Sequence, residues 1–562
     1  MTTFIDDIHR EQNGKNMPIF DPEFIFDEYE TENIDKMNSP MKDFYRDKTI
    51  FMSGGTGFVG LIMLEKLLRC EVKEVFLFVR PKKGKSPEER VNAIFQEPIY
   101  VRLRRQKDHY MRKITVVEGN LAHPNLGIDP ILKMKVIQNT QIFIHAAADV
   151  RFDETLKEAI ETNVRGTREM LKLAEMMPHL MCFMYMSTAY ANCPQHTIKE
   201  KFYETPVDPE VMIKFAETIN DDATADKVNI LTDRIVHPWP NTYAYTKALA
   251  EELMRIYSQK LPIVVVRPSI IMMTYSDPIP GWLNNVYGIN GVFVGVGMGV
   301  LRIFYIDNRK KADIIPADIV VNSSLAVIWH SVTKGAITLN ETPDYKNKGK
   351  ISAPVYNCVN NVDNPLTWGD VKRASVPMAA KYATTSSLWI GLYNTTRYNW
   401  IYYILRIFYH VIPAFFFDFI LKLQGQEPRV VKIYKKIHRF AGAIAYFTNN
   451  EWTFENNNMR MVLDDMSRVD KKYFISDMKK LKWDDIFDIF GRGIRLYIGK
   501  ETMDNWQQGQ DRYKKIQILH YILLFVIYSF LFWASYHILK FYGLIEYGAQ
   551  FYCYFKNLLE NP

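Results

Sequence analysis

The sequence predicts an α/β protein: a Rossmann-type, doubly wound parallel sheet with a substrate-binding part, then a helical C-terminal domain and a C-terminal transmembrane helix. Three observations lead there. A glycine turn, GGTGFVG at 54–60, follows the β-prone Thr49, Ile50, Phe51 and Met52 and runs straight into Leu61, Ile62, Met63 and Leu64, which read as helix. From Lys48 to about Met272 apolar β-like runs alternate with helical patterns, which predicts a parallel sheet covered on both faces. Residues 516–539 contain no Lys, Arg, Asp or Glu, and as a helix of about 36 Å they would cross a bilayer core of about 30 Å.

Taken in order, residues 1–45 read as a loosely ordered lead-in. The expected strands are 49–52, 75–79, 114–117, 142–146, 182–186 and 263–266, and helical periodicity is clearest over 159–176 and 245–261. After Pro268 come a Gly-rich apolar stretch, 282–300, and DIIPADIVVN at 313–322. A polar stretch around 370–400 is expected to join two domains. Residues 400–421 are aromatic but carry Arg406, His410, Pro413 and Asp418, costly at mid-bilayer. They are expected as an interfacial or pocket-lining helical pair broken at Pro413, with a plain domain core as the alternative. Arg512, Lys514 and Lys515 precede the span and only Lys540 follows it, which places the large N-terminal portion in the cytosol. The tail from Phe541 is expected at the opposite interface or folded back as a hairpin.

Composition narrows the function classes. The chain has 562 residues, 48% of them apolar, and a net charge of +7 with acids and bases interspersed. No basic block with interleaved aromatics is present, so the modest excess suits an anionic cofactor or a membrane surface rather than nucleic acid. Five scattered cysteines show no metal spacing and fit a reducing compartment. The acidic, polar N-terminus has no secretory pattern.

The glycine turn carries the first chemistry. Gly54 can take positive φ, Gly57 lets backbone approach a pyrophosphate, and Gly60 lets helix and strand pack closely. The pyrophosphate would sit on the helix N-terminus. Further along, Tyr243 and Lys247 in NTYAYTKALAEE share one helical face. A nearby ammonium is expected to favour the phenolate of Tyr243, which would exchange a proton with a carbonyl oxygen as hydride moves. Ser187 and Thr188 end the strand CFMYM, where a hydroxyl points into the ligand crevice of a doubly wound sheet; Thr188 is preferred over Ser187. Arg80, Lys82 and Lys83 stand after the second strand, where basic groups suit a 2′-phosphate.

Together GGTGFVG, STAY and YAYTK resemble the extended short-chain dehydrogenase/reductase superfamily. The segments SPMKDFYRDKTIFMSGGTGFVG, AAADVRFDE, NVRGT, VRPSII, DPIPGW, DIIPADIVVN and NPLTWG are similar to the fatty acyl-CoA reductases. NNEWTFENNNMR and KLKWDDIFDIFGRGIRLYIG, within 449–499, resemble that family's C-terminal domain, so the likeness covers about 39–500. It implies NADPH-dependent reduction of a long-chain acyl-CoA to a primary alcohol through a bound aldehyde. It places Tyr243, Lys247, Thr188 and Ser187 in catalysis. At the cofactor it implies Gly54, Thr56, Gly57, Phe58, Val59, Gly60, Arg80, Lys83, Asn120, Leu121, Ala147, Asn163, Tyr243, Lys247, Pro268 and Ser269. Asn120 stands where the superfamily usually has Asp. His145 reads as a satisfied core residue, and Cys193 as no nucleophile.

The implied division is a lead-in, 1–45; a reductase domain with its substrate-binding part, 46–370; an aromatic connection, 371–430; a C-terminal reductase-family domain, 431–511; and an anchor and tail, 512–562. The partners expected are long-chain acyl-CoA and a lipid bilayer, with a single pass in the endoplasmic reticulum or peroxisome. A membrane-anchored steroid or sterol dehydrogenase and a catalytically silent membrane scaffold remain as alternatives.

Overall fold

The structure is a computed structural model that describes residues 38–82, 84–106, 110–335, 353–542 and 544–560. Its described strands, in chain order, are β1 (Thr49–Ser53), β2 (Glu74–Val79), β3 (Ile114–Glu118), β4 (Ile142–His145), β5 (Cys182–Met186), β6 (Thr197–Ile198), β7 (Ile263–Pro268), β8 (Ile270–Met272), β9 (Ile303–Tyr305), β10 (Ile314–Pro316), β11 (Val355–Cys358), β12 (Asn394–Thr396) and β13 (Thr453–Phe454). Seven of them form one parallel sheet in the order β11-β7-β5-β4-β1-β2-β3. Strand order reverses between β1 and β4, and the loops leaving their carboxyl ends open the crevice where such sheets bind ligands.

The inner strands read as unbroken apolar runs because both faces are covered. Ile50 and Met52 face one buried layer, and Phe51 faces the other with Phe143 and Phe183. The six expected strands occur within two residues of their predicted ends. The sheet's edge strand β11 lies outside the expectation: its four residues carry too short a pattern to stand out, and it is recruited by pairing with β7.

Residues 40–45 are a docked helix rather than part of a loose lead-in. Met41 and Tyr45 are buried there, and Ser39 Oγ donates to Asp470 at 2.5 Å. The expected polar joint around 370–400 begins with the helix Trp368–Lys381, which packs between Gly288–Gly297 and Trp483–Gly493. The helix across 399–423 does not break at Pro413. A π-helical segment, Ile407–Val411, precedes the proline and absorbs its missing donor, so the rod continues through Ile412–Leu423. His410 in that rod points inward: its Nε2 accepts the Arg302 N–H at 3.1 Å, and its Nδ1 meets His438 at 3.1 Å. Asp418 accepts from the backbone N–H groups of Arg429, Val430 and Val431, capping the next helix, Val430–Asn449, which folds back against the first.

Among the described residues two helices are long and apolar enough to cross a membrane, Asn399–Leu423 and Trp506–Phe541. The second begins inside the body, where Tyr513 is buried and its hydroxyl accepts the Gly391 N–H, and then projects an exposed apolar shaft from Ile518 onward. The helix Leu544–Glu560 follows it, with Tyr547, Phe551 and Tyr552 exposed.

A buried ion cluster ties the glycine-turn helix, Phe58–Arg69, to the later part of the chain. Asp277 lies 2.8 Å from Lys66 and 2.8 Å from Arg69, and Lys66 also donates to the Tyr473 carbonyl. Burial pushes the Asp277 carboxyl up, but Arg69, Lys66 and Arg102 pull it further the other way, well below the usual carboxylate range. A depressed folded-state value means a contribution fully present above the unfolded carboxylate pKa and lost as pH falls through the folded one. Asp277→Asn should therefore cost about 3–5 kcal/mol at neutral pH by leaving buried cations unpaired. Urea unfolding at pH 7 checks this, and the wild-type advantage should persist at pH 5.

Candidate active site

One cleft of about 790 Å³ runs along the carboxyl edge of the sheet. Gly54, Thr56, Gly57, Phe58, Val59 and Gly60 form one wall. Gly54 has φ +83°, and a Cβ there would come within 2.6 Å of the Ala147 backbone N; a Cβ on Gly60 would stand 2.1 Å from the Gly54 carbonyl. The turn therefore closes only on hydrogens, and the helix it opens has no side-chain cap at Gly57, which leaves its first amides toward the cleft.

At the same end stand Arg80 and Lys82. Arg90, not anticipated from the sequence, joins them from the capped helix Pro87–Ile94. Its guanidinium donates to Thr56 Oγ1 at 3.1 Å and to the Arg80 carbonyl. Burial, then repulsion from Arg80, lowers the Arg90 pKa, so an anion placed between them would relieve both. Lys83 lies outside the described residues. Asn120, Leu121, Ala147, Pro268 and Ser269 complete this part of the lining.

Tyr243, Lys247 and Thr188 line the middle of the same cleft. Tyr243 lies in the first turn and Lys247 in the second turn of the helix Thr242–Tyr257, whose N-cap is Asn241. The Thr188 hydroxyl hydrogen-bonds the Tyr243 phenol, yet burial prevails and pushes that phenol up to about 12. The expected lowering by Lys247 is absent: its Nζ is turned to the Met186 carbonyl at 2.7 Å and the Tyr185 hydroxyl at 3.2 Å. Burial brings Lys247 itself down to about 7, with Glu251 opposing. A neutral phenol is the form that gives up a proton.

Two of the predicted site residues do other work. Ser187 Oγ donates to Glu251 at 2.5 Å and is spent on that carboxylate, which leaves Thr188 as the hydroxyl against Tyr243. Asn163 does not line the cleft: it accepts the Asp149 N–H at 2.7 Å and donates to the Asp149 carbonyl and to Thr246, pinning the loop after β4 onto the Tyr243 helix. His145 is satisfied by Ser53 at 2.7 Å and Thr167 at 2.9 Å, and burial lowers it to about 3. Cys193 is buried with its thiol pushed up to about 12, which makes it inert.

An aromatic wall also escaped the sequence reading. Phe152 lies 5.7 Å from the Tyr243 ring and 5.6 Å from Phe447, and Tyr190 packs edge-on against Phe447 and Trp452. Phe447, Ile444 and Thr448 reach the cleft from the helix Val430–Asn449, some 200 residues beyond Tyr243. Only tertiary folding brings them there.

Behind the cleft, Arg267 and Glu251 form a buried pair at 2.6 Å. Arg267 also donates to the Lys199 and Lys201 carbonyls, and Glu251 accepts from Ser187 and Asn192.

A parallel Rossmann-type sheet with a glycine turn and a Tyr–Lys helix on one cleft defines a nicotinamide-dependent reductase fold. Solved structures share the fold at 15% identity: the reductase domain of a nonribosomal peptide synthetase from Mycobacterium tuberculosis superposes with a TM-score of 0.52 over 85% of this chain and 97% of that one. The terminal R domain of the myxalamid PKS-NRPS pathway gives 0.50 over 83% and 97%, also at 15% identity. Two family profiles, both described as male sterility protein, match residues 52–324 and 409–501. The chain is 38% identical over 506 residues to fatty acyl-CoA reductase wat of Drosophila melanogaster, covering 90% of this chain and 94% of the relative. It is 33% identical over 481 residues to fatty acyl-CoA reductase 1 of Homo sapiens, covering 85% and 90%. The chain belongs to the fatty acyl-CoA reductase family.

Replacing Arg267 by Met should cost about 3–5 kcal/mol, because Glu251 is left buried without its counter-charge. Thermal unfolding of the single variant and of the Arg267→Met/Glu251→Leu double variant checks it; the double variant should recover part of the loss.

Proposed function

We propose that this chain reduces a long-chain fatty acyl-CoA to a primary alcohol with release of CoA, through an aldehyde held in the cleft, using NADPH. The observation that carries the reading is a neutral Tyr243 phenol, hydrogen-bonded by Thr188, on the same cleft as the glycine turn. The residues fit a dinucleotide: a cradle that a Cβ would fill, free helix amides, and the cations Arg80, Lys82 and Arg90 where a 2′-phosphate would lie. When bound, the nicotinamide supplies one hydride for each of the two reductions.

In the first reduction Tyr243 gives its proton to the thioester carbonyl oxygen as its carbon is reduced, and the hemithioacetal formed collapses to the aldehyde, its C–S bond breaking and its hydroxyl proton leaving with the sulfur as the free CoA thiol; in the second, Tyr243 gives a proton to the aldehyde oxygen to form the alcohol. Thr188 holds that oxygen beside the phenol and stabilises the charge developing on it. Lys247, brought near neutrality by burial, gains its proton back once anionic groups enter the cleft and then favours the phenolate left on Tyr243. Phe152, Tyr190 and Phe447 keep water from the aldehyde between the two steps. Relatives named fatty acyl-CoA reductase match across both profile regions, which disfavours a steroid dehydrogenase and a silent scaffold.

The reading also places the chain at a bilayer of the endoplasmic reticulum or peroxisome, with the catalytic body cytosolic. Trp506–Phe541 serves as the single span. The rod Asn399–Leu423 lies at the interface, held to the body through His410 while Phe415, Phe416 and Phe419 stay exposed.

Tyr243→Phe should lower turnover by at least about 10²–10⁴-fold with NADPH binding intact; full activity in that variant, measured as NADPH consumption with palmitoyl-CoA, would sink the mechanism. In a separate test, Arg80→Ala/Arg90→Ala should raise KM for NADPH about tenfold and leave that for NADH unchanged. Equal effects on both cofactors would remove the 2′-phosphate assignment.

A further inference from the structure

Beside the cleft the chain presents a surface that the reaction does not use. On the rod Asn399–Leu423 the side chains of Phe408, Phe415, Phe416, Phe417, Phe419 and Leu423 are between 45% and 72% exposed. Phe415, Phe416 and Phe417 are consecutive, so at about 100° per residue the apolar surface spans about 200° of the rod. A groove on a partner protein takes a stripe of about 100°. An apolar surface twice as wide suits hydrocarbon that surrounds it.

Charge narrows the kind of bilayer. The helix Val430–Asn449, folded back along the rod, exposes Lys432, Lys435, Lys436 and Arg439. Their spacing of i, i+3, i+4 and i+7 puts them on one face. The opposite face is buried through Tyr434 and Ile437. This helix contains no Asp or Glu. Across residues 399–449 the acids are Asp418, spent on capping the helix, and Glu427 in the connecting loop, whereas Arg406, Lys422 and Arg429 add to the cations. Phenylalanines beside a cationic stripe match a leaflet whose headgroups are anionic, where each exposed Lys or Arg strengthens docking about fivefold.

We infer that the helix pair Asn399–Leu423 and Val430–Asn449 docks on an anionic leaflet, and that lipid charge as well as apolar burial holds it there. The inference rests on the reading of Trp506–Phe541 as a bilayer span. Tilt of a span is set by its interfacial anchors, and this surface is one of them. Because Trp506–Phe541 is stitched to the body at Gly391, docking fixes the tilt of the whole unit. Val430–Asn449 also runs on to Ile444, Phe447 and Thr448 on the cleft, so the helix that meets the headgroups forms part of the substrate wall.

A fluorescent label on the rod tests this in the full-length protein. Cys553→Ser removes the exposed cysteine, since Cys70, Cys182, Cys193 and Cys358 are buried, and Phe416→Cys then takes a nitrobenzoxadiazole group. The protein would be reconstituted in vesicles of phosphatidylcholine alone or of equal parts phosphatidylcholine and phosphatidylserine. Emission should be brighter and shifted to the blue on the mixed vesicles, and NaCl at about 0.5 M, where the Debye length is about 4 Å, should reverse the gain. Adding Lys432→Gln/Lys435→Gln/Arg439→Gln should weaken docking about 10²-fold and give, on mixed vesicles, the emission seen on phosphatidylcholine alone. Equal emission on both vesicles, or a gain indifferent to salt, would overturn the inference. So would a signal that follows the protein-to-lipid ratio at one lipid composition, which would give the surface to a second copy of the chain. Protein that leaves the vesicles in alkaline carbonate would instead bring down the span reading, and this inference with it.

Discussion

Arg267 and Glu251 meet at 2.6 Å in the interior, and the geometry of the cleft depends on that pair. Arg267 belongs to β7, Glu251 to the helix that carries Tyr243 and Lys247, and Ser187 to the end of β5. One carboxylate therefore fixes the strand that precedes Thr188 relative to the helix that presents the phenol. Two buried charges are expensive to desolvate, and such a pair adds little net stability over apolar residues of the same size. What it adds here is registration: the carboxylate has four donors from three elements, and no shifted packing satisfies all of them. Asn163 performs the same service on the opposite side by binding the loop after β4 to Thr246.

Electrostatics in the cleft follow from burial more than from pairing. Tyr243 is driven to the neutral phenol and Lys247 toward the neutral amine, so the interior as it stands resists charge of either sign. The cations cluster at the glycine-turn end, on Arg80, Lys82 and Arg90. The cleft is thereby divided into a cationic end and a middle that burial keeps free of charge.

How much of this could be read from the residues depended on distance along the chain. The glycine turn, the Tyr–Lys helix and the STAY segment each encode their geometry within a few residues, and the strands that flank them carry a buried-run pattern. Arg90 was obscured because its signal is only a capped helix, SPEER, lying one turn past the second strand. Phe447 and Tyr393 were out of reach for a different reason: their neighbours in the cleft lie in remote segments, and local pattern says nothing about which helix end meets which strand. Pro413 was misread because the rule for proline in a helix omits the π-turn that accommodates it.

The helix Trp506–Phe541 is continuous from a base that buries Gly509 and Tyr513 against the body to an exposed apolar shaft. A flexible tether would let the body tumble over a membrane surface. A helix that starts stitched to Gly391 and Lys381 transmits torque instead, so that in a bilayer the body would keep one pose and its cleft one height above the lipid. For a ligand dissolved in that bilayer, capture would become a search in two dimensions with one of the partners already oriented.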